Sequence, residues 1–426
     1  MNHRALSGLG ARLSGSVLGL RAFRRLWAGQ AISSLGDQFF VVAVSLRVVE
    51  SGGDAGDVGL VLSGRMLAAV VFALVGGVWA DRLPRRRVMV AADAVRLVSV
   101  LAVVAVPSGV GTAGLALLTF VLGSGEAFFR PAYGGLVPSV VPAERLVAAN
   151  ALRGATESTA AVLGPALGGV LVALAGTRTA FAVNAASFAV SLLCVLAVRE
   201  PARTAAPRTS MAAEVRAGVA AVRRTRWTTA VLALTAVQTM LVVAPHMVLL
   251  PIVSSEEFTG GTAYGTVLAV FSLSGLVGTI VIGRLRPRHP GLVAIGCNAL
   301  FAAVPLVLLS PFSLVWVAAG YAVAGVAMMP FNVLWETALQ RQFPADLMGR
   351  VTSVDWLVSL GLLPLGLMIV GPLTDLVGRT PVLVTAIVVQ LASAALVLLV
   401  PGVRDFHEDK DTGGERREQD DVRLTG

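Results

Sequence analysis

Gly76-Gly77-Val78-Trp79-Ala80-Asp81-Arg82-Leu83-Pro84-Arg85-Arg86-Arg87 lies between two long apolar runs. So short and so basic a polar segment between two apolar runs marks a cytoplasmic turn joining two membrane spans, because Lys and Arg collect in cytoplasmic loops. Asp81 stands out within it, since orientation in a membrane does not call for an acid among the arginines.

The rest of the chain agrees with a membrane setting. It is 56% hydrophobic and 14% charged, where soluble domains carry about 25% charged residues. The net charge of +9 comes from arginines in short clusters between apolar runs. That pattern orients spans in a bilayer and does not build a nucleic-acid surface. Thirty-three of the 34 basic residues are Arg, a usage that points to a GC-rich bacterial genome and hence to a bacterial inner membrane.

Catalytic and cofactor chemistry find no footing. Cys194 and Cys297 sit inside apolar runs without metal-ligand spacing. His3, His246, His289 and His407 are scattered and form no nucleophile–base or metal constellation. The single lysine is Lys410, and no G-x-x-x-x-G-K-[ST] loop is present, which speaks against a nucleotide-driven pump. No catalytic residue, cofactor or metal is expected.

About twelve apolar segments recur, each near the ~20 residues that cross a bilayer as a helix. Their expected limits are residues 26–48, 58–79, 88–106, 112–132, 148–174, 179–198, 228–252, 263–283, 291–309, 313–335, 351–373 and 381–400. Alternate loops hold the arginine clusters, among them Arg82 to Arg87, Arg199 to Arg226 and Arg284 to Arg288. The other loops hold little beyond Arg47, Arg178 and Arg379, with Glu50, Asp54, Asp57, Glu256 and Glu257. Both termini are therefore expected in the cytoplasm. Residues 1–22 lack the apolar core and cleavage site of a signal peptide and are expected to be a cytoplasmic arm. Residues 23–198 and 227–400 are expected as two six-helix bundles. Residues 199–226 form the cytoplasmic loop between them, with an amphipathic helix from Met211 to Arg224, and the charged tail 401–426 is expected to be disordered.

A weak repeat relates the two halves. Pro131-Ala132-Tyr133 followed by Pro142-Ala143-Glu144-Arg145-Leu146 is echoed by Pro330-Phe331-Asn332 followed by Pro344-Ala345-Asp346-Leu347-Met348. The opening stretch has a degraded counterpart in Gly283-Arg284-Leu285-Arg286-Pro287-Arg288, which lacks the Asp. Transporters are commonly built from such repeats.

The pattern G-x-x-x-D-R-x-P-R-R-R resembles the loop between the second and third spans of the major facilitator superfamily. The resemblance covers nearly the whole chain. It implies two pseudo-symmetric six-helix bundles, an all-α membrane fold and secondary transport. It also implies that Gly77 permits close helix contact, that Asp81 and Arg82 form a charge latch at the cytoplasmic ends, and that Arg85, Arg86 and Arg87 hold the loop on that side. Pro84 departs from the family's usual glycine. Gly164-Pro165-Ala166-Leu167-Gly168-Gly169 is similar to the core of the fifth-span motif of the family's exporters, although Ala151 and Ala160 replace its upstream glycines. The run Phe23 to Gln30 with Ser33-Ser34-Leu35-Gly36-Asp37 resembles the drug- and siderophore-exporting branch, which includes macrolide efflux proteins and the enterobactin exporter.

A charge in mid-bilayer costs a few kcal/mol or more and therefore usually faces a cavity or a partner. Asp37, midway along the first span, is the leading candidate for proton exchange or cation recognition; the other reading is a structural Asp paired with an Arg. Arg65 is a candidate partner of Asp37 or a binder of anionic substrate. Glu126 and Arg130 share a face of the fourth span, as do Arg153 and Glu157 on the fifth and Asp93 and Arg96 on the third. These pairs read as structural locks, with Glu126 the deepest and the one placed to act in transport. Glu336 and Asp355 are expected to pair with Arg near the loops. His246 is a candidate titrating group, and Gln238, Asn298 and Gln390 either line the path or join helices. Most polar groups lie in the first half, so coupling is expected there and an apolar cavity wall in the second.

The expected function is a secondary transporter, a proton-coupled exporter of lipophilic or cationic drugs or secondary metabolites. A siderophore exporter, or an importer of small metabolites, is the alternative within the same class; a membrane enzyme or sensor is the distant one. The expected partners are a small-molecule substrate, protons and the lipid bilayer, without nucleic acid, for a monomer.

Overall fold

The computed structural model describes residues 17–105, 111–201, 211–285 and 287–407, and leaves the side chains of 73–82, 211–215, 217, 345–346 and 360 undescribed. Within these residues the chain is helical throughout. The first half holds α1 (Arg21–Glu50), α2 (Ala55–Arg82), α3 (Arg85–Ala105) and α4 (Thr112–Val140). One long helical element, Leu146–Leu196, then breaks at Gly176 (φ 80°, ψ 165°) into α5 (146–175) and α6 (177–196). A positive φ is readily adopted only without a Cβ, so Gly176 turns the chain between two spans with no intervening loop.

The amphipathic linking helix runs Met211–Arg224, as its sequence predicts. The second half holds α7 (Arg226–Glu257), α8 (Gly261–Arg284), α9 (Pro290–Leu309) and α10 (Leu314–Gln342). It ends with α11 (Ala345–Gly361 continued by Leu363–Val377) and α12 (Arg379–Val397). Eleven stretches of the described residues are long and apolar enough to cross a membrane. The break at Gly176 divides one of them, so twelve spans result and the protein is a multi-pass membrane protein.

Several spans outrun their predicted ends, two of them the furthest. α4 and α10 are each 29 residues long and continue past Pro131 and Pro330. A proline removes one helical hydrogen bond and bends a helix without having to end it. Both helices stop at an extended residue before the next proline, Val141 (φ −120°, ψ 128°) and Phe343 (φ −110°, ψ 139°). Proline disfavours the helical conformation in the residue before it, so the repeat seen in sequence is also a repeated stop signal. In α7, residues 239–243 wind as one wide π-helical turn just ahead of Pro245, whose missing N–H leaves the ladder open there.

Within the first half α1 packs on α5 and α6, and α4 on α2 and α3; within the second half α10 packs on α8 and α9, and α7 and α12 pack together. The halves meet mainly where α5 lies on α8 and α2 on α11. Glycines set these crossings. A Cβ on Gly169 would collide with the backbone of Gly265, one on Gly371 with Gly56, and one on Gly59 with the carbonyl of Leu367. Small residues let backbones approach in a membrane, where apolar burial alone does not drive helices together. All three crossings lie toward the Arg-poor end, so the halves are closed against each other there.

At the Arg-rich end the tail departs from expectation. Residues 401–407 fold back onto the second half, with Val403 and Phe406 buried beside Trp227 and Trp335. The amide of Leu292 donates to the carbonyl of Arg404 at 2.8 Å, and His289 meets Asp405 at 2.6 Å. Two apolar residues among charged neighbours suffice to dock this segment. The remainder of the tail and the arm 1–16 lie outside the described residues.

Candidate transport site

Six ionisable side chains join in one chain across the first half. Asp93 and Arg96 on α3 pair at 3.1 Å, Arg96 Nη2 reaches Asp37 Oδ2 on α1 at 2.8 Å, and Arg65 on α2 lies 3.4 Å from Asp37 Oδ1. Arg65 also holds Glu126 on α4 at 2.9 Å, and Glu126 pairs with Arg130 at 2.7 Å. Three carboxylates thus face three guanidiniums, and the network is neutral when all are ionised. Burial grades along it. Asp93 and Arg96 are 0% and 2% exposed, whereas Arg130 at the far end is 60% exposed.

Small residues make room for this chain. A Cβ on Gly36 would strike the side chains of Asn184 and Ser187 on α6, so α1 sits close to α6 and delivers Asp37 to α3. A Cβ on Gly125 would lie 2.6 Å from Arg96 Cγ; its absence lets the Arg96 stem cross α4. Ser191 Oγ donates to Asp93 at 2.7 Å. The Arg96 guanidinium lies 4.1 Å from the ring centre of Phe188 and 5.2 Å from that of Phe129, so cation–π attraction adds to the ion pairs.

Asp37 is the least completed member. Its Oδ1 is buried without a hydrogen-bond donor, despite Arg65 at 3.4 Å. Toward the Arg-poor end Phe40, Val41, Met66, Met247 and Leu367 line, with Arg65, a void of about 20 Å³, roughly the room of one water.

The expected pairs of Asp37 with Arg65 and of Glu126 with Arg130 are thus both present. Glu126 lies midway along α4, while Asp93, nearer the start of α3, is the most enclosed acid of the network. Asp93 and Arg96 belong to the site rather than to a separate lock; their spacing in an apolar run was the signal available in sequence. Arg153 does not pair with Glu157. Its guanidinium lies over Tyr133 at 4.5 Å and donates to Asn150 at 3.3 Å. Glu336 and Asp355 meet no arginine among the described residues. Asp355 instead accepts from Trp335 Nε1 at 3.1 Å and Ser359 Oγ at 3.4 Å. Gln238, Asn298 and Gln390 join α7, α9 and α12, with Gln390 Nε2 to the Asn298 carbonyl at 2.6 Å and Gln238 Nε2 to Ser393 Oγ at 2.9 Å. His246 is enclosed by Phe301 and Tyr321.

The motifs take different places. The side chains of Gly77, Asp81 and Arg82 lie outside the described residues. Pro84 ends one helix and starts the next, its carbonyl accepting from the amides of Arg87 and Val88 at 2.9 and 3.2 Å. The Glu200 carboxylate accepts from the amides of Arg85 and Arg86 at 3.0 and 2.9 Å, where the dipole of α3 favours an anion. Arg86 donates to the carbonyl of Leu196 and Arg25 to that of Ala197, both at 2.7 Å, closing the carboxyl end of α6. Arg85 donates to the Gly135 carbonyl. Arg85 and Arg86 therefore staple α3 to α4 and α6. In the fifth-span motif, which also holds Pro165, Gly164 and Gly168 receive Gln38 and Phe39 of α1, while Gly169 meets α8 of the other half.

The chain is 27% identical over 388 residues to the multidrug efflux pump Tap of Mycolicibacterium fortuitum, covering 87% of this chain and 93% of that protein. It is 25% identical over 370 residues to macrolide efflux protein A of Streptococcus pyogenes, covering 84% and 90%. In fold it is similar to the nucleoside transporter NupG, with TM-score 0.66 at 13% identity over 88% of this chain and 97% of that one. It is also similar to a bacterial homologue of the iron transporter ferroportin in an inward-facing state, with TM-score 0.69 at 18% identity over 89% and 98%. The family model of the Major Facilitator Superfamily matches residues 26–359. This chain belongs to the Major Facilitator Superfamily and is a membrane transporter.

Proposed function

We propose that the protein is a proton-coupled exporter of lipophilic or cationic drugs or secondary metabolites, acting as a monomer without enzymatic activity. The reading places it in the bacterial inner membrane with both termini in the cytoplasm, so the Arg-rich end faces inward. The observation that carries it is the neutral Asp93–Arg96–Asp37–Arg65–Glu126–Arg130 chain with its unfilled Asp37 oxygen. The names of Tap and macrolide efflux protein A support export as the direction.

In this reading residues 23–198 and 227–400 rock about a site near mid-membrane. A proton on Asp37 weakens its bonds to Arg96 and Arg65 and leaves the network with one surplus positive charge. A cationic substrate disfavours that surplus, so proton and substrate exclude each other, as exchange requires. The Asp81–Arg82 latch would hold the cytoplasmic ends together in the opposite state.

The test is expression in an efflux-deficient host, measuring accumulation of dyes, macrolides and siderophores with and without a protonophore. Lower accumulation than in vector controls, reversed by the protonophore and lost in Asp37→Asn, is expected. Asp37→Asn with intact gradient-driven efflux would remove Asp37 from coupling. No difference from vector across the panel counts against drug export, and export of siderophores alone would select the neighbouring reading.

A further inference from the structure

Arg130 leaves its own half. Its guanidinium carbon stands 5.3 Å from the ring centre of Trp356 on α11, so the pair bridges the halves toward the Arg-rich end. Arg130 is 60% exposed and Trp356 54% exposed, so both border open space. Among aromatic side chains the indole face attracts cations most strongly.

The surrounding charges are unevenly matched. The network of the first half is balanced, three acids against three arginines. In the other half, no arginine among the described residues pairs with Glu336 or with Asp355, which accepts from Trp335 and Ser359. That half presents the exposed indole face of Trp356, which favours a cation of low hydration.

Arg130 is also the member of the network most free to leave. Glu126 accepts from Arg65 Nε at 3.0 Å and lies 2.9 Å from Arg65 Nη2, so it stays compensated when Arg130 withdraws. Arg65 and Arg96, by contrast, are 11% and 2% exposed and each serve two acids.

We propose that the face of Trp356 is a seat for the cationic group of a lipophilic substrate, and that Arg130 is its resident occupant, displaced when such a substrate binds. The proposal rests on the export reading above for its substrate class. Binding then breaks a bridge between the halves and leaves Arg130 held by Glu126 alone, inside the network that holds Asp37. One event thus reports substrate occupancy to both the gate and the coupling acid.

The experiment measures equilibrium binding of tetraphenylphosphonium to the purified full-length protein in lipid nanodiscs, with no gradient. Trp356→Ala is expected to weaken binding about tenfold, the scale of a well-placed cation–π contact, and Trp356→Tyr to restore most of it. Arg130→Gln is expected to tighten binding several-fold by removing the competitor, and that gain should vanish in the Trp356→Ala background. Arg130→Gln weakening binding as Trp356→Ala does would make the pair a structural bridge and overturn the proposal. So would a gain from Arg130→Gln that persists without Trp356, or a wild-type protein that does not bind the cation. Trp356-dependent binding in a protein that exports nothing from the panel would uphold the seat while removing the export reading.

Discussion

Arg96 holds two carboxylates at once, Asp37 at 2.8 Å and Asp93 at 3.1 Å, while 2% exposed. Removing one partner of a buried ion pair leaves charge without compensation, typically a loss of about 3–5 kcal/mol. Arg96→Leu is therefore expected to destabilise the protein by that order, seen as a lower thermal midpoint of the purified protein in detergent. Arg96→Leu with Asp93→Asn should recover part of the loss, because one stranded charge has become neutral. Equal destabilisation in single and double variants would mean that packing of the guanidinium against Phe188 and Phe129 matters more than its charge. At this scale the sequence was informative about which residues are unusual. Asp37, Arg65, Glu126 and Arg130 are conspicuous as charges in apolar runs. It also pointed to three of the pairs, Asp37–Arg65, Glu126–Arg130 and Asp93–Arg96, but not to how they join, and it misplaced a fourth: Arg153 and Glu157 have the right spacing and do not pair, since Tyr133 offers Arg153 a nearby aromatic face.

At the scale of helices, glycine and proline carry the instructions. Pro142 and Pro344 end α4 and α10 through the same extended residue before them, and Gly176 alone turns α5 into α6. These are local rules, and they made the spans legible. What a glycine packs against is not local. Gly164 and Gly168 serve contact with α1 inside one half, whereas Gly169 meets Gly265 of the other. Gly169→Val is expected to disfavour the form closed at the Arg-poor end by about 1–3 kcal/mol, the usual cost of forcing extra carbons into a packed contact. Faster thiol labelling of a cysteine placed at that end would report it. An unchanged labelling rate would mean that the crossing relaxes without opening.

For the whole molecule, two kinds of contact oppose each other. Backbone-to-backbone crossings at Gly169–Gly265 and Gly56–Gly371 close the Arg-poor end, while toward the Arg-rich end the exposed Arg130–Trp356 pair bridges the halves. The first is dry and close-packed; the second is thin and replaceable. Transport in our reading alternates between this arrangement and one latched by Asp81 and Arg82. Asp81→Asn is expected to lower labelling at the Arg-poor end and raise it at the Arg-rich end, because the competing closed form loses its charge pair. Unchanged accessibility at both ends would remove the latch.

The sequence by itself determined the number of spans, their order, the Arg-rich and Arg-poor ends, and the list of charges that do not belong in a bilayer. Those features follow from hydropathy, from helix length against bilayer thickness and from backbone rules that act within a few residues. Only the tertiary structure decided that charges from four helices form one neutral chain, that Glu200 caps α3 across the first half, that Phe406 anchors the start of the tail, and that Arg130 reaches Trp356. Each of these joins residues far apart in the chain, and ion pairing depends on ångström-scale distance after packing, which no local pattern encodes.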